Sequence, residues 1–230
     1  MSKASSLKRV ATIAAPIIPA IAPALASSFA RETLHRAIDG ISRLPPAAES
    51  AERQRASHHG DRDKAISRII DLHVGYAGAQ GLVTNLGGAL AAAAAIPANL
   101  AGLALVQTRM VAGIAHLRGY DLTDPRVRNA VLACLLTEDG TRSLLSKGRL
   151  PAPPMTIATA PVHDPALDDF IAAEIVSAMV KQVAGKRLVT TIGRRTPVLG
   201  GVVGAGSDAF ATYQVGRFAK RELLTRHPED

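Results

Sequence analysis

Residues 72–108 read LHVGYAGAQGLVTNLGGALAAAAAIPANLAGLALVQT, a run without a single Asp, Glu, Lys or Arg. Asp71 closes it on one side and Arg109 on the other. A charge-free segment of this length needs burial, in protein or in lipid. Its small residues and lack of strand-like alternation predict helix, split at Pro97, and so a buried helical hairpin. A transmembrane helix takes about 20 predominantly apolar residues, so the run has the length for one or two short spans. Alanine dominates it, however, and Gln80, Thr84, Asn85, Asn99 and Gln107 punctuate it, which favours a protein interior over lipid.

The chain around this run is large enough for a real core: 230 residues, 47% hydrophobic and 20% charged. Such a composition excludes a disordered chain. A net charge of +8 and a pI near 10.1 suit an anionic partner, whether phospholipid surface, acidic protein or nucleic acid. One cysteine, Cys134, excludes an internal disulfide and fits a reducing compartment, so a cytoplasmic location is expected.

At the N-terminus, Lys3, Lys8 and Arg9 precede an apolar stretch from Val10 to Ala26 that closes on Ala24-Leu25-Ala26, the outline of a signal peptide. Pro16, Pro19 and Pro23 argue against a helical apolar core there. An irregular arm over residues 1–28, packed on the body or touching a bilayer, is the alternative.

Beyond the arm the apolar spacing is helical. Ala30, Leu34, Ala37, Ile38 and Ile41 share a face, Ser28 is placed to cap its start, and Gly40 with Pro45-Pro46 closes it. Residues 47–64 are charged and predict a solvated helix followed by a loop at His58-His59-Gly60. Ile66, Ile69, Ile70, His73 and Ala77 resume the helical period. Asp124-Pro125 and Asp164-Pro165 each mark a helix start, the carboxylate accepting from free amides and proline filling the first turn. Val127, Ala130, Val131, Cys134 and Leu135 form the stripe of the first, and Leu167, Phe170, Ile171, Ile175 and Met179 that of the second. Cys134 and His73, both on apolar stripes, read as core residues. Residues 148–163 are proline-rich and aperiodic, a long connection. No segment alternates convincingly as a strand. The fold class expected is all-α: a single helical bundle over residues 29–225 with a central Gly/Ala-rich hairpin and a tail at 226–230.

Glycines mark where these helices meet. Gly200 and Gly204 stand one turn apart, and Gly78, Gly81, Gly87 and Gly88 line the central run. Each glycine costs a helix on the order of 1 kcal/mol against alanine, so such a density implies close helix packing in compensation.

Four segments, in this order, resemble a known family. They are Ala37-Ile38-Asp39-Gly40-Ile41; residues 81–88 with Ile96-Pro97-Ala98; residues 107–121, opening Gln107-Thr108-Arg109-Met110; and residues 200–208 with Gly216-Arg217-Phe218-Ala219-Lys220. Together they are similar to the EcsC family of bacterial proteins, over roughly residues 30 to 225. Asn85 departs from the pattern, where a glycine is expected. The resemblance implies a helical domain, named for the third member of an operon encoding an ABC transporter, with no established activity. Asp39, Gln107, Arg109 and Asp208 are the polar residues inside the motifs. Either Arg109 pairs with Asp39 or Asp208 to tie helices together, or the four form an anion or ligand pocket with carboxylates as acid and base.

Other chemistry is thin. His58, His59, Asp61 and Asp63 lack a metal-ligand spacing, so no metal site is expected. Gly206-Ser207-Asp208 is not a nucleophile elbow, and the nearby glycines do not follow a strand as a dinucleotide fingerprint does, so neither a catalytic residue nor a cofactor is expected. Basic residues are dispersed without a reading motif, aromatics are 3% and tryptophan is absent, which disfavours nucleic acid. The expectation is a non-catalytic accessory or interaction module, linked to transport and peripheral on the inner face of the membrane, with an anionic membrane surface and a protein as partners. The alternative is an enzyme or small-ligand binder built on the four polar residues.

Overall fold

The computed structural model describes residues 23–41, 44–86, 88–192 and 197–226, and side-chain surroundings within them except at 23–25, 81–99 and 181–205. The described residues form helices α1 (Pro23–Ile38), α2 (Ala47–Ser57), α3 (Arg62–Leu86), α4 (Gly88–Leu117), α5 (Pro125–Cys134), α6 (Thr137–Ser146), α7 (Pro154–Ala158), α8 (Pro165–Ile192) and α9 (Pro197–Glu222). No strand occurs among them; Ile41 and Leu44 make one isolated bridge. The fold is all-α.

The second half of the charge-free run supplies the axis of the bundle. From Gln107 to Ala115 every residue of α4 is buried, as expected of a helix that is apolar on nearly all sides. Around it pack α3, α1, α2, α9, α5 and α8. The window Leu100–Leu117 is long and apolar enough to cross a membrane, and 72% of it is buried inside the protein. The backbone of α4 continues through Pro97, where the sequence predicts a split.

The proline-based signals act as their chemistry requires. Asp124 accepts from the backbone N–H of Arg126 at 2.8 Å, and Asp164 from that of Ala166 at 3.0 Å. Asp61 does the same for Lys64 at 2.9 Å and starts α3. Ser28, expected as a cap, lies within α1, which begins at Pro23: a proline in the first turn sets φ for the helix and loses no bond. The long connection is partly structured, because Pro154 opens the short helix α7, whose Ile157 and Ala158 are buried, with α7 packed on α5.

Helices α3 and α9 form the most extensive pairing and run antiparallel. Their register is set by Lys220 Nζ donating to Ser67 Oγ at 3.0 Å and by Gly216, whose absent side chain makes room for Ile70 and Met110. A Cβ at Gly216 would lie 3.0 Å from Ile70 and 3.1 Å from Met110. Of the glycines expected at helix contacts, Gly78 is half-buried. The surroundings of Gly81, Gly87, Gly88, Gly200 and Gly204 lie outside the described residues.

Candidate functional site

The four polar residues singled out from the sequence do not form one pocket. Gln107 and Arg109 sit two apart on α4, and positions i and i+2 of a helix face different sides. Gln107 is buried toward α9, where its Nε2 donates to Thr212 Oγ1 at 3.2 Å. Asp208, 2% exposed, lies one turn before Thr212 on α9. These two therefore share the α4/α9 interior. Arg109 faces the other way, into the corner between α1 and α2.

There the Arg109 guanidinium serves backbone oxygens. It donates to the carbonyls of Ala37 at 3.2 Å, Pro45 at 2.5 Å and Pro46 at 3.5 Å, and to Ser50 Oγ at 2.7 Å. The Ala37 carbonyl belongs to the last turn of α1, whose oxygens have no partner within the helix and carry its negative dipole end. A planar fork with several N–H groups suits such a convergence of acceptors. Asp39 turns outward instead and accepts from His35 at 2.8 Å. Arg109 ties helices together as expected, through carbonyls rather than through the carboxylate of Asp39 or Asp208.

His73 lies near this charge. Its Nδ1–H donates to the Ile69 carbonyl at 2.7 Å and its ring meets Tyr76 edge-on at 5.7 Å. Burial pushes its pKa down from 6.5 to about 4, against the Ile69 hydrogen bond and helped by the nearby Arg109. The imidazole is thus neutral in the fold. As pH falls the unfolded chain takes up this proton first, so the stability is complete above about pH 6.5 and declines toward pH 4. The expected loss across that window is about 2 kcal/mol, allowing for partial solvent access. Urea midpoints at neutral and acid pH measure it, and His73→Gln is expected to remove this component of the slope.

A second cluster was missed in the sequence because its members come from helices distant in the chain. On α3, Lys64, Ser67, Arg68 and Asp71 recur at helical spacing on one face; on α9, Tyr213, Arg217, Lys220 and Arg221 do likewise. Set side by side, they line an open, shallow groove. One part, about 450 Å³, is lined by Ser67, Asp71, Tyr213, Arg217, Lys220 and Arg221, with Arg118 at its end. A second, about 540 Å³, extends past Lys64 and Arg68 and shares Ser67, Asp71 and Lys220 with the first.

The charges in this groove divide into paired and unpaired. Lys64 pairs with Asp61 at 2.8 Å, Arg118 with Asp63 at 3.0 Å, and Arg221 with Glu138. The Lys64 hydrogen bond lowers the Asp61 pKa, and the same bond raises that of Lys64. Lys220 is bonded to the Ser67 hydroxyl, and Arg217 to the Tyr213 hydroxyl at 3.3 Å while lying 5.8 Å from that ring's centre. Among the described residues, Arg68, Arg217 and Lys220 have no carboxylate partner and Asp71 has no cationic one.

Residues 4–227 match the model of the EcsC protein family. The chain belongs to the EcsC family. No curated protein and no solved structure matches it. In this EcsC chain the motif Gly216 to Lys220 has two jobs. Gly216 lets α3 and α9 approach, and the approach brings Arg217 and Lys220 to the groove.

The outward face of α9 continues the pattern. Phe210 is 61% exposed and Tyr213 42% exposed, with Arg217 and Arg221 following at helical spacing. On α3, Tyr76 is 56% exposed. Tyr76 stands on the other flank of α3, beside His73 and near Arg109, and is not part of the groove face. Toward this end of the bundle both helices run into sequence without charge, residues 72–86 of α3 and 197–207 of α9. Cys134, by contrast, is fully buried, and burial raises its thiol pKa far above the ordinary value.

Proposed function

We propose that this EcsC chain is a non-catalytic accessory module that docks on the anionic inner face of a membrane, there to act beside membrane machinery such as a transporter. The observation that carries the reading is the α9 side of the α3/α9 groove, which grades along the helix axis from Arg217 and Lys220 through exposed Tyr213 and Phe210 to charge-free sequence. Cations suit lipid phosphates, and amphipathic aromatic rings suit the headgroup level. Apolar, small-residue helix ends suit shallow contact with acyl chains. The positive net charge adds attraction over about one Debye length. A lone buried cysteine fits the reducing side of the membrane.

The test is sedimentation of the full chain with phosphatidylcholine vesicles and with vesicles that also contain phosphatidylglycerol, across a salt series. Binding is expected only with the anionic vesicles and is expected to reverse with salt. Each cation near the surface contributes about 1 kcal/mol, so Arg217→Ala with Lys220→Ala is expected to weaken binding by about tenfold or more. Replacing Lys3, Lys8 and Arg9 by alanine in the full chain reports on the arm. Loss of binding in that variant alone would move the contact from the groove to the arm, and no binding to either vesicle would sink the membrane reading.

A further inference from the structure

Charge accounting in the groove narrows what it holds. Three cations without carboxylate partners, Arg68, Arg217 and Lys220, face one carboxylate without a cationic partner, Asp71, among the described residues. Asp71, with Ser67 and Lys220, lines both parts of the groove and so lies where they join. If the groove only attracted negative charge, a carboxylate there would work against it. The excess of cations favours an anion, and the carboxylate favours a ligand that brings hydrogen-bond donors as well. A bare phosphate, carrying about −1.5 to −2 at neutral pH, has a P–OH to offer Asp71 but sets more negative charge against that carboxylate than a phosphodiester does. A phosphodiester carrying an ammonium satisfies Asp71 but is neutral overall and leaves the excess cations uncompensated. A phosphodiester carrying hydroxyl groups meets both demands.

We infer that the groove between α3 and α9 binds an anionic phosphodiester with a polyol head, of the glycerol type, with Arg217 and Lys220 holding the phosphate and Asp71 accepting from the hydroxyls. This rests on the docking reading where the phosphodiester belongs to a lipid, and stands apart from it where the ligand is soluble. Tyr213 and Ser67, already bonded to Arg217 and Lys220, hold those cations at the groove.

The experiment compares two vesicles of equal surface charge. One carries phosphatidylglycerol and the other dihexadecyl phosphate, a phosphodiester of the same charge without hydroxyls. The full chain is expected to bind the first about tenfold or more tighter, the scale of one hydrogen bond to a charged acceptor. Asp71→Ala is expected to bring the two within about twofold of each other, mainly by strengthening binding to dihexadecyl phosphate, from which a like charge has been removed. Asp71 is exposed, so an unchanged melting temperature is the check that the variant is folded. Equal binding of the unmodified chain to both vesicles would overturn the inference while leaving membrane docking intact. If the chain binds neither vesicle, titration with soluble glycerophosphoglycerol, followed by NMR, separates the two ideas. Shifts at groove residues that vanish in Asp71→Ala would keep the headgroup chemistry and remove the membrane. No shift would remove both.

Discussion

Replacing Arg109 by alanine is expected to destabilise the protein by about 3–4 kcal/mol, a large part of the stability of an ordinary domain. The side chain is 8% exposed and its guanidinium donates to three carbonyls and a hydroxyl gathered from α1, the corner after it and α2. Alanine leaves those acceptors short of donors in a space that water refills incompletely. Burial lowers the Arg109 pKa, with Arg53 adding to the effect and Tyr76 and Glu49 opposing it. A guanidinium nevertheless stays charged at any ordinary pH. Lysine keeps the charge but cannot reproduce the fork, so Arg109→Lys is expected to recover about half of the loss. Asp39→Asn is the contrasting variant. Its carboxylate is on the surface and bonded to His35, so the cost is expected to stay within about 0.5 kcal/mol. Urea midpoints at unchanged slope measure all three. An Asp39→Asn loss as large as that of Arg109→Ala would show that a carboxylate pair, not the carbonyl clamp, holds the corner.

Gly40→Ala is expected to cost about 4 kcal/mol or to prevent folding. Two effects add at this position. Its φ of +80° lies in the left-handed region, which costs a residue with a Cβ about 1–2 kcal/mol. A Cβ there would also sit 2.3 Å from the Leu44 carbonyl oxygen, 2.9 Å from Pro45 C and 3.0 Å from Pro46 N. All are backbone atoms, and two belong to prolines whose φ is locked, so none can rotate aside. The control is Gly60, which shares the left-handed backbone at φ +85° but has nothing within 4 Å of an added Cβ. Gly60→Ala is expected to lose only about 1 kcal/mol, the conformational part alone. Thermal unfolding of both variants separates backbone strain from collision, and equal losses would mean that the close approach at Gly40 relaxes at little cost.

Both predictions concern the corner between α1 and α2, and the two residues there differed in how legible they were. The sequence pointed to Gly40 as a helix stop because glycine followed by two prolines has few other uses. It pointed to Arg109 as a charge bordering an apolar run, and predicted a carboxylate partner because buried charges usually have one. What it could not show was that four residues, Ala37, Pro45, Pro46 and Ser50, would offer their oxygens together. Backbone carbonyls carry no signature in side-chain identity, so a site built from them is invisible until the chain is folded.

The groove shows the same limit in another form. Ser67 and Asp71 are ordinary on a helix with a solvated face, and Arg217 and Lys220 are ordinary near a helix C-terminus, where cations complement the dipole. Each is fully explained by its own helix. Only the antiparallel pairing of α3 with α9, more than a hundred residues apart in sequence, turns them into one charged concavity.

By itself, then, the sequence determined the all-α class, the helix starts at Asp124 and Asp164, the helix stop at Gly40, the burial of the α4 segment 107–115 and the family, because each depends on local spacing or on motifs in order along the chain. The tertiary structure alone decided that Arg109 clamps carbonyls, that Gln107 turns toward Thr212 and away from Arg109, and that Arg217, Lys220 and Asp71 meet between α3 and α9. Those outcomes depend on which helix faces come together, a property of packing that local periodicity does not encode.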